Sequence, residues 1–350
     1  MSENSEQRSS DQSASEQVAG DAAGETFAGY DLESGVLQRV RQWRDAIPAL
    51  VLIDALRVAG SPLYVGLFWV AWSALCCLPH DHSIDFTASG LPSLDFQRVD
   101  ELPWWSLVWA ASVIGIGILP AALVARAGAC YAAGRMQSFT ENGRVTLARW
   151  LRLLLIPIVP LAITVGLSIV MVAAGSLGRI SGIGSMAVEA TAIAVLPIAI
   201  LIGLVAGGAV MAVPLAITAV VLEKQSDVLD SLSRGYEYLF RRPVYLAFYG
   251  LCAFVMVAIV WQLAVWVAAV ALSIGGWGLR IGSGEAAAPQ WFQWLLVQLP
   301  WAVANTAAWG QVGAIYLLMR KAANDQEIED IAVSPVDTQT ADMPTLKSQI

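Results

Sequence analysis

The sequence predicts an all-α, polytopic membrane bundle: six transmembrane helices, cytoplasmic amphipathic arms and two disordered polar tails. Three observations carry this. Of 350 residues, 57% are hydrophobic and only 14% charged, against about 25% charged in an ordinary soluble domain. Six apolar stretches are each long enough to cross a ~30 Å hydrocarbon core, which takes roughly 20 helical residues. The Arg and Lys residues gather in every second segment between those stretches.

Residues 1–33 form an acidic tail in which Arg8 is the one base among eight carboxylates. Its Ser, Gln, Asp and Glu cannot bury enough apolar surface to order a chain. It holds no apolar signal-like run, so the first span is expected to serve as an uncleaved anchor. A first arm, 36–58, places Val36, Val40, Trp43, Ile47 and Leu50 on one helical side, with Arg39, Arg41 and Arg44 elsewhere. The first span is expected at 60–79. The following segment, 80–103, carries Arg98 alone and begins with His80 and His82 around Asp81. One His-x-His pair in a loop is a weak metal signal, so an exposed polar loop is the preferred reading and no metal or other cofactor is expected.

The second span, 104–125, opens on Trp104 and Trp105, and indole prefers headgroup depth. Segment 126–152 holds Arg126, Arg135, Arg144, Arg149 and Arg152, and its arm (135–152) is expected to break at Thr140–Gly143. The third and fourth spans are expected at 153–175 and 188–212, joined by a segment whose one base is Arg179. Residues 190–222 carry no charge, and as one helix would reach about 50 Å. Two crossings there would place Lys224, Arg234, Arg241 and Arg242 outside, so one crossing with a break or kink near Pro214 is expected. The third arm, 226–242, repeats Val228, Leu232, Tyr236 and Phe240 at helical spacing, with Ser226 or Asp227 as cap and Pro243 as stop. The fifth span, 244–272, is expected to end by Gly275-Gly276. The sixth spans 291–318, and 321–350 is a second acidic, disordered tail.

Seventeen of the twenty basic residues fall in the alternate segments that include both tails; Arg98, Arg179 and Arg280 are the exceptions. The positive-inside rule puts the rich side in the cytoplasm, with both termini there and the body in the inner (plasma) membrane. The prolines after the arms, Pro62, Pro157 and Pro243, lie about 90 residues apart, as three arm-plus-hairpin units would give. Any six-span chain with basic inner loops gives the same picture.

Candidate functional residues are few. The spans lack Asp, Glu, Lys, Arg and His at their centres, which argues against a proton relay. The sixth span is the most polar, and Gln298 and Asn305 share a face. With Gln262 of span five they outline either a polar path or an interhelical contact. Gly203 and Gly207 have the spacing of close helix packing. Arg149, Arg152, Arg234, Arg241 and Arg242 are the arm residues expected to meet anionic headgroups or a protein partner. No catalytic set and no nucleic-acid patch is present.

Asp230-Ser231-Leu232-Ser233-Arg234-Gly235-Tyr236-Glu237-Tyr238, followed by Arg242-Pro243 and the next apolar stretch, resembles a segment of uncharacterised bacterial inner-membrane proteins with about six spans. The arm Asn142–Arg152 leading to Pro157 is similar to an earlier arm in them. The resemblance extends over about residues 40–320. It implies an inner-membrane protein and supplies no activity or catalytic residue. The expected function is a non-enzymatic scaffold or accessory subunit whose arms contact lipid or a partner. The alternative is a channel or permease for a neutral or lipid-like substrate through spans five and six.

Overall fold

The computed structural model describes residues 47–76, 104–135, 137–176, 184–223, 227–283 and 289–324. His80, His82, most of the first arm and nearly all of both tails lie outside these residues. Residues up to Leu50 form a unit of their own, in which only a single 3-10 turn, Pro48–Leu50, is described.

Among the described residues from Val51 onward, every element is helical. They are α1 (Val51–Ala55), running into a 3-10 turn (Leu56–Gly60), then α2 (Pro62–Cys76), α3 (Trp104–Ala132) and α4 (Phe139–Ala148). There follow α5 (Trp150–Ser176), α6 (Gly184–Leu222), α7 (Val228–Arg241), α8 (Pro243–Ser283) and α9 (Gln290–Asn324). Among the described residues, four helical stretches are long and apolar enough to cross a membrane: Ala111–Ala132, Trp150–Ser176, Thr191–Leu222 and Pro243–Gly282. A fifth is reached if the helical stretches on either side of Ser61, bent by 70°, count as one. The helix at the sixth expected span, α9, has 35 residues, about 52 Å of helix. Its Gln293, Gln298, Asn305, Thr306 and Gln311 keep it below that apolar standard.

The polarity of α9 has a packing reason. It touches α1, the 3-10 turn, α2, α3, α6 and α8, so it is the hub of the bundle and faces other helices. Gln311 and Thr306 are buried on it, and Gln311 donates to the Leu52 carbonyl at 2.9 Å. Close approach of α3 and α9 depends on glycine. A Cβ at Gly128 would collide with the backbone of Gly310, and one at Gly313 with the carbonyl of Ala125.

Burial is uneven along the helices. The end carrying most of the arginines is a compact core: Ala121–Cys130, Leu215–Leu222 and Ala314–Arg320 are buried continuously. Away from it, large faces of α5, α6 and α8 are uncovered. Ile193 is 79% exposed, Val172 73% and Phe254 70%. Apolar patches this extensive do not persist in water, so the uncovered halves are suited to hydrocarbon. Trp277, Trp291 and Trp294, exposed at the far end, suit headgroup depth there.

Three expectations about the elements change. Of the break or kink expected near Pro214, the break is absent, since α6 runs on through both Pro197 and Pro214. The helix α8 runs past Gly275-Gly276 to Ser283, because consecutive glycines lower helix propensity by about 1 kcal/mol each but do not block the hydrogen-bond ladder. The second arm does not break at Thr140–Gly143. Ser138 accepts from the Glu141 amide and caps α4, and the interruption falls at Arg149. The apolar stripe of α7 divides: most of it packs on the bundle, while Phe240 is exposed. Val228, Leu232 and Tyr238 are buried, Gly235 abuts the Ala212 backbone, and the Tyr236 hydroxyl donates to the Val205 carbonyl at 2.7 Å.

Between α3 and α4 the chain reverses tightly. Gly134 adopts φ +69°, a left-handed position that costs glycine little. The Arg135 amide then reaches back to the Cys130 carbonyl at 2.8 Å, closing the helix end.

Candidate functional site

Two features stand out, a network of polar groups in the compact end and a cavity beyond it.

The network is built on the C-terminus of α6. The last carbonyls of a helix have no donor within it and carry the negative end of its dipole. Here two arginines meet them. Arg126, on α3 and 1% exposed, donates to the Val221 carbonyl. It also donates to Asn142 Oδ1 and Gln137 Oε1, each at 3.2 Å. Asn142 in turn donates to the Tyr64 hydroxyl at 3.1 Å, tying α4 to α2. Arg149 donates to the carbonyls of Val220 and Glu223. Burial, with Arg126 and Arg152 nearby, lowers the Arg149 guanidinium below its ordinary range.

Glu223, just past α6, takes the opposite role. Its carboxylate accepts from Arg234 of α7 and from the Tyr316 hydroxyl of α9. Arg234 also pairs with Asp230 at 2.9 Å. Burial alone would lower Arg234, but Glu223 and Asp230 together carry it above its usual value. One helix end therefore holds α3, α4, α7 and α9 in register. The charged groups Arg126, Arg149, Arg234 and Glu223 are thus engaged with one another or with the helix end, while the buried Gln137 Nε2 has no partner among the described residues. Among the described residues no three His, Cys, Asp or Glu side chains are grouped to hold a metal.

The five arginines singled out from sequence thus divide. Arg149 and Arg234 belong to the network. Arg152 and Arg241 are exposed, the latter pairing with Glu237 at 2.8 Å, and Arg242 lies 5.7 Å from the centre of the Tyr245 ring. Arg126 and Glu223 were missed as organising residues. Their signal is position: each is the first charge after a long apolar run.

The polar side chains of spans five and six do not converge. Trp72 donates to Gln298 Oε1 at 2.7 Å, and Asn305 donates to the Trp301 carbonyl at 2.8 Å. Gln262 is exposed. Its neighbour Trp261 is the residue turned to α9, edge-on to Trp301 at 4.5 Å, and the next position on a helix is rotated about 100° away. A Cβ at Gly203 or Gly207 would likewise meet nothing within 4 Å among the described residues outside its own helix turn. The close glycine contact on that helix is at Gly208, against the Tyr236 ring.

The cavity has a volume of about 520 Å³ and lies between α2, α3, α5, α6 and α9. Phe68, Trp72, Pro157, Pro214, Asn305 and Trp309 are among its lining residues, none of which is ionisable. Leu161 and Val210 line it and are 55% and 68% exposed, so it opens sideways between the helices. Neither Gln262 nor Gln298 reaches it.

Scans of family models, curated proteins and solved structures found no match to this chain.

Proposed function

We propose that this chain is a six-span protein of the bacterial inner membrane with both termini in the cytoplasm. It acts there as a non-enzymatic scaffold or accessory subunit. The observation that carries the reading is the compact arginine-rich end. Its arginines and Glu223 tie four helices to one helix terminus, which supports a platform role. Around its rim Arg152 and Arg241 stay exposed, beside exposed Trp150, Leu151 and Phe240. Basic and apolar groups side by side suit an anionic leaflet, at about 1 kcal/mol per basic residue, or a protein docked there.

The test uses Arg152→Gln, Arg241→Gln and Arg242→Gln together, because replacing Arg149 or Arg234 would disturb the fold. The triple variant should stay folded and lose most of the anionic lipid, or the stoichiometric partner, that co-purifies in mild detergent. Unchanged lipid and partner content would contradict the reading.

A second reading, binding or passage of a neutral, lipid-like molecule, is favoured by the sideways-opening cavity. Its route would then run between α2, α3, α5, α6 and α9, with α8 standing apart.

A further inference from the structure

The cavity has a chemistry beyond being apolar. At about 520 Å³ it falls in the ~300–1,000 Å³ range of small-molecule sites. An ion placed there would lose several kcal/mol of hydration with no lining charge to offset it. Its occupant is therefore neutral where it is enclosed. Leu161 and Val210 give access from the side, where the uncovered faces of α5 and α6 suit hydrocarbon. A ligand dissolved in the bilayer reaches it without crossing water.

Two lining residues of α9 break the apolar surface. Asn305, near the middle of the 35-residue helix, uses its amide nitrogen on the Trp301 carbonyl. Its amide oxygen accepts no hydrogen bond among the described residues. Trp309 lies one turn on, on the same helical face, and its indole N–H has no acceptor among the described residues. The other polar groups on the wall are engaged: Thr164 donates to the Pro160 carbonyl at 2.8 Å, and Trp72 to Gln298. Asn305 is half-buried on this wall, so its unpartnered amide oxygen is available to a molecule entering the cavity. An acceptor and a donor one turn apart match a group that does both, and a hydroxyl is the smallest such group.

We infer that this cavity binds a neutral, mainly hydrocarbon molecule carrying a hydroxyl, such as a long-chain or isoprenoid alcohol, with the hydroxyl donating to Asn305. The inference rests on the second reading above, that the cavity is where a lipid-like molecule resides. An ordinary acyl chain filling the space is the competing occupant.

The test uses the full chain in nanodiscs and two diazirine photoprobes of equal chain length, a long-chain alcohol and its methyl ether. Sites are mapped by mass spectrometry. The alcohol should crosslink to lining residues of α6 and α9 and bind roughly fivefold more tightly than the ether, the worth of one net hydrogen bond. Asn305→Leu should abolish that preference while leaving ether labelling intact. Ala209→Phe, which fills the cavity from α6, should remove labelling by both. If both probes label the cavity equally and Asn305→Leu changes neither, the hydroxyl inference fails and the lipid-like reading stands. If neither labels the cavity, or Ala209→Phe has no effect, both fail.

Discussion

Gly313→Leu is expected to prevent the bundle from assembling. At this position a Cβ alone would collide with the carbonyl of Ala125 and crowd the amide of Ala129. The obstacle is backbone, which cannot rotate aside as a side chain can. Overpacking a core against side chains costs about 1–3 kcal/mol, and here the whole of α9, hub of the bundle, would have to move from α3. A loss of at least about 3 kcal/mol is expected, seen as aggregation in place of a monodisperse peak in detergent. Gly128→Leu should behave alike, since it meets the Gly310 backbone. Gly203→Ala and Gly207→Ala are the controls. Both glycines are exposed with open space around them, so the monomer should keep its stability or gain up to about 1 kcal/mol from helix propensity. Equal stability of Gly313→Leu and the unaltered chain would refute the described α3–α9 contact.

Arg126→Leu is the second large effect. The side chain is buried and supplies three hydrogen bonds, to Val221, Asn142 and Gln137. Bonds to a charged group are each worth about 1.5–3 kcal/mol, and a stranded acceptor costs about 1–3. Relief of the guanidinium's own desolvation offsets part of this. A net loss of about 3 kcal/mol is expected, measured by thermal unfolding in detergent with tryptophan fluorescence. Arg126→Lys should recover only part of it, because an ammonium cannot reproduce the planar fork. The partners separate this from a simple packing change. A double-mutant cycle of Arg126→Leu with Asn142→Leu should give a coupling of about 1 kcal/mol or more, and zero coupling would show that the two do not cooperate.

Much of the helical layout was legible because long uncharged runs have few alternatives. Trp150–Ser176 and Pro243–Ser283 contain the expected third and fifth spans, and of the two caps side-chain chemistry offered for α7, Ser226 or Asp227, it is Asp227 that caps it. What the pattern obscured was direction. Periodicity located the apolar stripe of α7 but not what it meets, and membrane surface and bundle are both apolar. The same ambiguity hid the role of Arg149 and Arg234. A charge count treats every arginine of an inner segment alike, whereas Arg149 caps α6 and Arg241 faces outward. Gln262 illustrates a third limit. Helical spacing relates residues within one helix, but which face meets the next helix was set by the larger Trp261. The cavity had no local signal except Pro157, Pro160 and Pro214, whose joint position on one wall only the tertiary arrangement reveals.

The proposed orientation, a membrane bundle whose arginine-rich compact end is cytoplasmic, rests on the positive-inside rule. It is tested most directly by thiol accessibility in intact cells, in a chain with its four native cysteines replaced by alanine. Single cysteines are introduced at Gly282, exposed at the far end of α8, and at Ser233, exposed on α7. A membrane-impermeant maleimide should label Gly282→Cys from outside and leave Ser233→Cys unmodified until the cells are opened. Labelling of Ser233→Cys in intact cells, with protection of Gly282→Cys, would invert the orientation. Full labelling of both in intact cells would remove the membrane from between them.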